Sequence, residues 1–436
     1  MSMMRVGCYD FIKAIGLGSF STVYQAVNLV TNSKVAIKAI LKTQDSESMF
    51  LSEIEILSQL DHPFISPIFD VIQDEQNYYI VMELSDNMSL LECINDSKRL
   101  TEETARKYFI QIVSALEYMH INRKVIHRDL KAENILIDSS HCIRLIDFGL
   151  SKHFSFDNER LKTLCGSVDY ASPEILRSEE YTTQSDVWSL GVVLYAMVHG
   201  SMPFSGVNVP EMISHIINNE PKYSPQLSST LLDLLKRILT KDPNERITIS
   251  DIKKHPWLFQ KRIKVEEEFM FLNSAELKIV TDELDPAIEK ELQGLNLDLH
   301  NLLAKIKKNE FDEVTAAYKI LKKQKINEII NQQMPKFERL VASPTRPPTG
   351  GIKSGLPVLD NKLLPASPRP VSQMRRRLCK RDFCSLNFGI ENMPQIANDN
   401  TSSAKTFLKS PKIRRRLIHP NSNSNSNNLF GTFSPL

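Results

Sequence analysis

His127-Arg128-Asp129-Leu130-Lys131-Ala132-Glu133-Asn134, followed by Asp147-Phe148-Gly149, is the stretch on which the reading of this 436-residue chain turns. Two carboxylates, Asp129 and Asp147, and the Asn134 amide near one cleft can ligate a hard, oxygen-loving cation such as Mg²⁺, and a carboxylate there can accept a hydroxyl proton. Either segment alone reads equally as a solvated loop; together, and behind what precedes them, they do not. Upstream, Gly16-Leu17-Gly18-Ser19-Phe20-Ser21-Thr22-Val23 lies between two strand-like runs. Its glycines let the backbone approach phosphates, whose oxygens the N–H groups can cradle. An ordinary bulged hairpin looks similar, and because no helix opens after this turn a dinucleotide-binding βα unit is disfavoured. Val35-Ala36-Ile37-Lys38 then sets a lysine among apolar strand residues. It is either an edge lysine snorkelling to water or a buried cation for nucleotide phosphates, with Glu53 as its partner.

The surrounding pattern supplies the lobes for such a cleft. Short β-branched runs at 11–16, 23–27 and 34–40 predict a twisted antiparallel sheet, and 78–83 a further buried strand. Met49, Phe50, Ile54, Leu57 and Leu60 are close to helical spacing. Ala105, Tyr108, Phe109, Ile112, Val113, Leu116 and Met119 follow the 3.6-residue period after an acidic first turn. A β-rich front and an α-rich rear predict two lobes.

In this order the motifs resemble the eukaryotic protein-kinase family, over residues 9–258. The resemblance implies an α+β bilobal fold and Mg²⁺- and ATP-dependent transfer of the γ-phosphoryl group to protein serine or threonine. Position by position, it gives Lys38, paired with Glu53, the α/β-phosphates, and Asp129 the substrate hydroxyl proton. Lys131 would neutralise the transferred group, and Asn134 and Asp147 would hold Mg²⁺. The ATP-side set is completed by Ile15, Gly16, Leu17, Gly18, Ser19, Phe20, Ser21, Val23, Ala36, Met82, Glu83, Leu84, Glu133 and Leu136. His127, Phe148, Leu57 and Ile68 match a stacked spine, Asp186 matches a helix carboxylate holding the His-Arg-Asp backbone, and Glu174 and Arg246 match a buried ion pair. Lys131 points to Ser/Thr substrates, with Ser167 in the segment that receives them.

This chain departs from the family pattern at Ser21 (for a third glycine), at Ser172-Pro173-Glu174, at Asn87-Met88-Ser89 in the hinge and at Ala196. Ala196 replaces an acid found in strongly basophilic relatives, so a weaker or altered preference for basic residues is expected, with Glu133 retained as an arginine contact. No departure removes a phosphate, metal or proton-transfer group, which favours an active enzyme over a non-catalytic signalling scaffold on the kinase fold.

Leu161-Lys162-Thr163-Leu164-Cys165-Gly166-Ser167 resembles the activation loop of the AMP-activated and microtubule-affinity-regulating branch, which implies an upstream kinase acting on Thr163. Residues 275–325, with Asn309-Glu310-Phe311 and a Thr-Ala-Ala-Tyr run, resemble the three-helix ubiquitin-associated-type module that docks on the catalytic domain in such kinases. A plain amphipathic linker has the same periodicity.

Composition bounds the rest. Hydrophobic residues are 42% and charged residues 24%, enough to bury a core. The longest apolar run, 190–198, is nine residues, well below the roughly 20 that cross a bilayer. Six cysteines without metal-type spacing suit a reducing, cytoplasmic or nuclear compartment. The net charge of +2 conceals an asymmetry: residues 335–436 hold 17 Lys and Arg against 5 Asp and Glu, and 12 of the 22 prolines. That predicts a disordered basic tail. Within it, Arg375-Arg376-Arg377-Leu378 and Arg414-Arg415-Arg416-Leu417 resemble cyclin-docking motifs. The Ser-Pro pairs resemble cyclin-dependent kinase sites, and the basic clusters equally resemble nuclear-import or anionic-membrane patches. No specific nucleic-acid contact and no transmembrane segment are expected.

Overall fold

The β-branched runs between Arg5 and Glu83 pair into one antiparallel sheet. Its strands are β1 (Arg5–Val6), β2 (Tyr9–Leu17), β3 (Ser21–Asn28), β4 (Ser33–Leu41), β5 (Ile68–Gln73) and β6 (Asn77–Glu83), in the order β1-β2-β3-β4-β6-β5. This comes from a computed structural model that describes residues 4–18, 21–43, 46–85, 88–154, 166–258, 272 and 274–339. Ser19, Phe20, Asn87, Thr163 and the tail motifs lie outside the described residues.

Helix α1 (Ser46–Leu57) packs on this sheet through Phe50, Ile54 and Leu57, with Phe50 stacked on Tyr78 at 4.2 Å. Glu53 lies on the same buried stripe, which is what turns a carboxylate inward. Met49, assigned to the apolar face from spacing, is instead 58% exposed, and Ile56 is buried. The two are seven residues apart and so share one helix face, of which only the C-terminal end is covered.

Beyond the hinge, α2 (Leu90–Ser97) starts at a reciprocal cap: Ser89 Oγ accepts from Glu92 N–H, and Glu92 accepts from Ser89 N–H. Helix α3 (Glu102–Glu117) is capped by Thr101 and buries every position of its predicted stripe. It runs into a π-helical turn, Tyr118–Arg123, that the periodicity does not announce. Three short pairings frame the cleft. β7 (Met88–Ser89), β9 (Ile135–Ile137) and β10 (Ile143–Leu145) form one sheet, and β8 (Val125–Ile126) pairs with β11 (Lys152–His153).

Helices α4 (Pro173–Leu176), α5 (Gln184–His199), α6 (Val209–Asn218), α7 (Ser229–Ile238) and α8 (Ile249–Ile252) complete the large lobe. α5 is buried on nearly all sides, which accounts for the nine-residue apolar run without a membrane. Among the described residues no helix is long and apolar enough to cross one. Glu174 and Arg246, both buried, bond bidentately at 2.8 and 3.0 Å.

The helices α9 (Pro286–Gly294), α10 (Leu302–Lys307) and α11 (Glu313–Arg339) share a core of Ile288, Leu292, Leu302, Ile306, Ala317, Tyr318 and Leu321. α11 extends past residue 325 and lies along β5. Ile320 joins the sheet's rear cluster, while Ile326 and Ile330 join the main core.

Candidate active site

The cleft is lined from above by β4 and α1 and from below by the loop after β8. Lys38 Nζ donates to Glu53 Oε1 at 2.7 Å and to Asp147 Oδ1 at 3.4 Å, so one cation joins both lobes. Burial opposes the charge on Lys38, but Glu53 and then Asp147 raise its pKa above the ordinary lysine value. Asp147 is about half exposed, at 49%. Burial opposes its ionisation too, yet Lys38, His127 and Lys131 hold its carboxyl below the usual range. Both groups are therefore charged near neutrality.

Below, Lys131 Nζ donates to Asp129 Oδ2 at 2.5 Å and to Ser167 Oγ at 3.0 Å. Asp129 Oδ1 accepts the N–H and the hydroxyl of Ser167 at 3.1 and 3.2 Å. Asn134 Nδ2 donates to Asp129 O and Oδ2 at 3.0 and 3.2 Å, which leaves its carbonyl oxygen for another partner. Its backbone carbonyl accepts from Ile146 N–H at 3.0 Å, fixing Asn134 beside Asp147.

Two non-glycine residues here have left-handed backbones, Arg128 (φ 70°) and Asp147 (φ 64°). Such conformers cost about 1–3 kcal/mol each and persist where surroundings impose them. For Arg128 the imposing group is Asp186, 1% exposed. Its Oδ1 accepts Arg128 N–H at 2.9 Å, and its Oδ2 accepts His127 N–H at 2.8 Å beside His120 Nε2 at 2.8 Å. Burial opposes ionisation of Asp186, but His120 and then His127 keep its carboxyl below the usual range. His127 packs on Phe148 with ring centroids 5.1 Å apart, and Leu57 and Ile68 are buried in the same core as Phe148.

On the nucleotide side, Gly16 is opposite Val23, and Gly18 N–H donates to Ser21 O at 2.8 Å, closing the turn. A Cβ on Gly18 would lie 3.0 Å from Ser21 Oγ, so the serine standing for the third glycine occupies room beside Gly18. Ala36 pairs with Met82 across β4 and β6, and Leu136 pairs with Ser89 beyond Leu84. Ile15 and Leu17 are 45% and 86% exposed at the mouth.

Two members of the predicted set turn elsewhere. The Glu83 carboxylate points to the rear of the hinge, accepting from Arg144 Nε at 2.9 Å and Asn327 Nδ2 at 2.8 Å. Arg144 also donates to Asn327 Oδ1 at 2.8 Å, and buried Lys323 donates to Pro63 O at 2.8 Å. Glu133 accepts from the Tyr170 hydroxyl at 3.2 Å, on the side of segment 166–170. Sequence reasoning passed over Arg144, Lys323 and Asn327. Arg144 alone carries a signal, a charged side chain inside the apolar run 142–146, whereas Lys323 and Asn327 sit among other polar residues.

Among the described residues no group of three or more His, Cys, Asp or Glu could hold a metal by itself. The donor set nonetheless fits Mg²⁺, which takes one or two carboxylates and completes its octahedron with phosphate oxygens and water. Asp147 and the free carbonyl of Asn134 are hard oxygen donors of that kind.

Comparison with known proteins gives the same answer. A protein kinase domain model matches residues 9–258. The chain is 34% identical over 322 residues to serine/threonine-protein kinase SIK2 of Gallus gallus, covering 73% of this chain and 40% of that protein. Serine/threonine-protein kinase SIK1 of Mus musculus is 34% identical over 322 residues, with 73% and 41% covered. The chain thus spans about two-fifths of the length of these curated relatives. With this match over more than half of its length, the chain belongs to the protein kinase family.

Proposed function

We propose that this protein is an ATP- and Mg²⁺-dependent protein serine/threonine kinase. The observation that carries the reading is the bridge from Glu53 through Lys38 to Asp147, set above Asp129, Lys131 and Asn134. Its relatives bear the name serine/threonine-protein kinase.

Lys38 orients the α/β-phosphates of ATP while Glu53 fixes its side chain. Asp129, held by Lys131, Asn134 and Ser167, orients the substrate hydroxyl and accepts its proton. Lys131 neutralises charge building on the transferred group. Asp147 and Asn134 would hold Mg²⁺, which when bound supplies Lewis-acid neutralisation of the phosphate oxygens. The side chains are already in place, so catalysis is positioning plus electrostatics.

An in vitro phosphorylation assay comparing wild type with Asp147→Asn tests this. Loss of transfer in the variant supports the reading, whereas equal signal from both would mean a scaffold with a contaminating activity.

Phosphorylation at Thr163 as the activating step is the finer part of the proposal. It is supported by the resemblance of residues 161–167 and by Arg128 beside Asp129, since a phosphate adds about −2 charge for an arginine to bind. Thr163→Ala should cut the activity of protein purified from its native cells severely, and unchanged activity would remove the switch. The arginine clusters at 375–377 and 414–416 are proposed as contacts for a cyclin–kinase or a nuclear-import receptor. A full-length chain with the arginines of both clusters changed to alanine that keeps its location and its Ser-Pro phosphorylation would exclude both.

A further inference from the structure

Two struts join the lobes on opposite sides of the nucleotide cleft. In front, Lys38 on β4 reaches Asp147 in the loop below. Behind, Arg144 on β10 holds Glu83 at the end of β6, Nε donating to Oε2 at 2.9 Å. Arg144 is 2% exposed, and its other nitrogens are engaged too. Nη1 donates to the Ile143 carbonyl at 2.8 Å, and Nη2 to Asn327 Oδ1 of α11 at 2.8 Å with Asp138 Oδ2 at 3.2 Å. Asn327 Nδ2 donates in turn to Glu83 Oε1 at 2.8 Å, closing a ring of three side chains. A buried guanidinium persists only where its donors are matched, and here the acceptors come from the hinge, the β9–β10 turn and α11 together.

The backbone that carries this ring also lines the site. Across β9 and β10 Arg144 pairs with Leu136, and Asp147 follows three residues later. Glu83 is flanked by Met82 and Leu84 and pairs with Val35, beside Ala36. The rear strut thus ties the strand under the nucleotide pocket to the strand at its back, while the front strut ties Asp147 to the roof. Two links on opposite sides of a cleft suppress the hinge motion that would open it, so together they fix the gap between Ala36 and Leu136.

We propose that Arg144 is a positioning residue for ATP, a role that rests on the kinase reading above: by clamping Glu83 it sets the gap that receives the base. It acts through Glu83 and Leu136 rather than on the nucleotide itself. Asn327, which lies beyond the residues matched as kinase domain, completes the clamp. Lysine is no substitute, because an ammonium is a point charge and lacks the planar fork that serves Glu83, Asp138 and Asn327 together.

The experiment uses the full-length chain. KM for ATP and KM for peptide are measured separately by phosphoryl transfer, and the Kd of a fluorescent ATP analogue is measured without peptide. Arg144→Met keeps the bulk and loses the fork. It should raise KM for ATP and the analogue's Kd about tenfold, the worth of one charge-assisted hydrogen bond. KM for peptide should move by no more than about twofold, because segment 166–170 lies in the large lobe. Arg144→Lys should recover part of the loss. Asn327→Ala removes one arm and leaves the Glu83–Arg144 pair, so it should raise both nucleotide constants about threefold. Wild-type nucleotide constants in Arg144→Met overturn the assignment. Should that variant not fold, the same result in Arg144→Lys and Asn327→Ala overturns it. So does a parallel rise in both KM values, which general loosening of the fold would give. Failure of the kinase reading looks different. Analogue binding that depends on Arg144, with no peptide phosphorylated by wild type, would sink that reading and leave this one standing. Full turnover with nucleotide constants indifferent to Arg144 would do the reverse.

Discussion

Asp186→Asn probes the support beneath the active site. The aspartate is buried, and its two oxygens serve three donors: Arg128 N–H on one, His127 N–H and His120 Nε2 on the other. Asparagine keeps the volume but has one acceptor oxygen. With that oxygen on the His127 and His120 side, the new amide N–H₂ faces the Arg128 N–H. A buried donor left without an acceptor costs about 1–3 kcal/mol. The loss falls on Arg128, whose left-handed φ of 70° needs the bond to offset its own strain. Asp129 follows Arg128 directly, so relaxation there moves the proton acceptor away from the reacting hydroxyl. If the cost is expressed in positioning, kcat falls roughly tenfold to a hundredfold. Steady-state peptide phosphorylation and a thermal melt are the assays. KM for ATP should stay near wild type, because the Lys38–Glu53 pair sits in the other lobe. A variant with wild-type kcat and an unchanged melt would refute the claim that Asp186 holds the catalytic loop in its strained form.

Gly166→Ala should lower kcat/KM for peptide more than it lowers thermal stability. It puts a Cβ 2.6 Å from Arg128 O at a φ of 88°, a clash that the segment can relieve only by lifting Ser167 off Asp129; parallel kinetics and melts decide. Asn327→Ala removes the amide that joins Glu83 to Arg144 and should destabilise the docking of α11 by about 1–3 kcal/mol, read as faster amide exchange across the helix. Exchange at the wild-type rate would contradict the rear-hinge network. Lys319 and Lys323 are both held down to about 8 by burial, against about 10.4 for an unfolded lysine. Between those values the unfolded chain binds more protons, so stability should rise as pH goes from 8 towards 10. Lys319→Met should flatten the rise in urea melts, and an identical slope would show that the lysine is charged when buried.

Much of the site was legible because its chemistry is local. Asp129, Lys131 and Asn134 lie within six residues of one another, and Asp147 follows a short hairpin, so spacing alone implies one loop cluster. The strand runs and the α3 stripe follow from side-chain period in the same way. Other features depend on partners far along the chain. Met49 reads as core, yet the packing that seats Phe50 on Tyr78 leaves it exposed. Glu83 reads as a nucleotide-side residue until Asn327, 244 positions later, draws its carboxylate to the rear.

The sequence by itself therefore determined the order of lobes and set the candidate groups of the site close together in one stretch, because period and spacing are properties of neighbours along the backbone. The tertiary structure alone decided how those groups are held. The bridge from Glu53 to Asp147, the grip of Asp186 on a strained Arg128 and the seat of α11 behind the hinge each need side chains distant in the chain to share one desolvated volume. There an unmatched charge or donor costs more than the chain can tolerate, so the partners are fixed by burial rather than by adjacency.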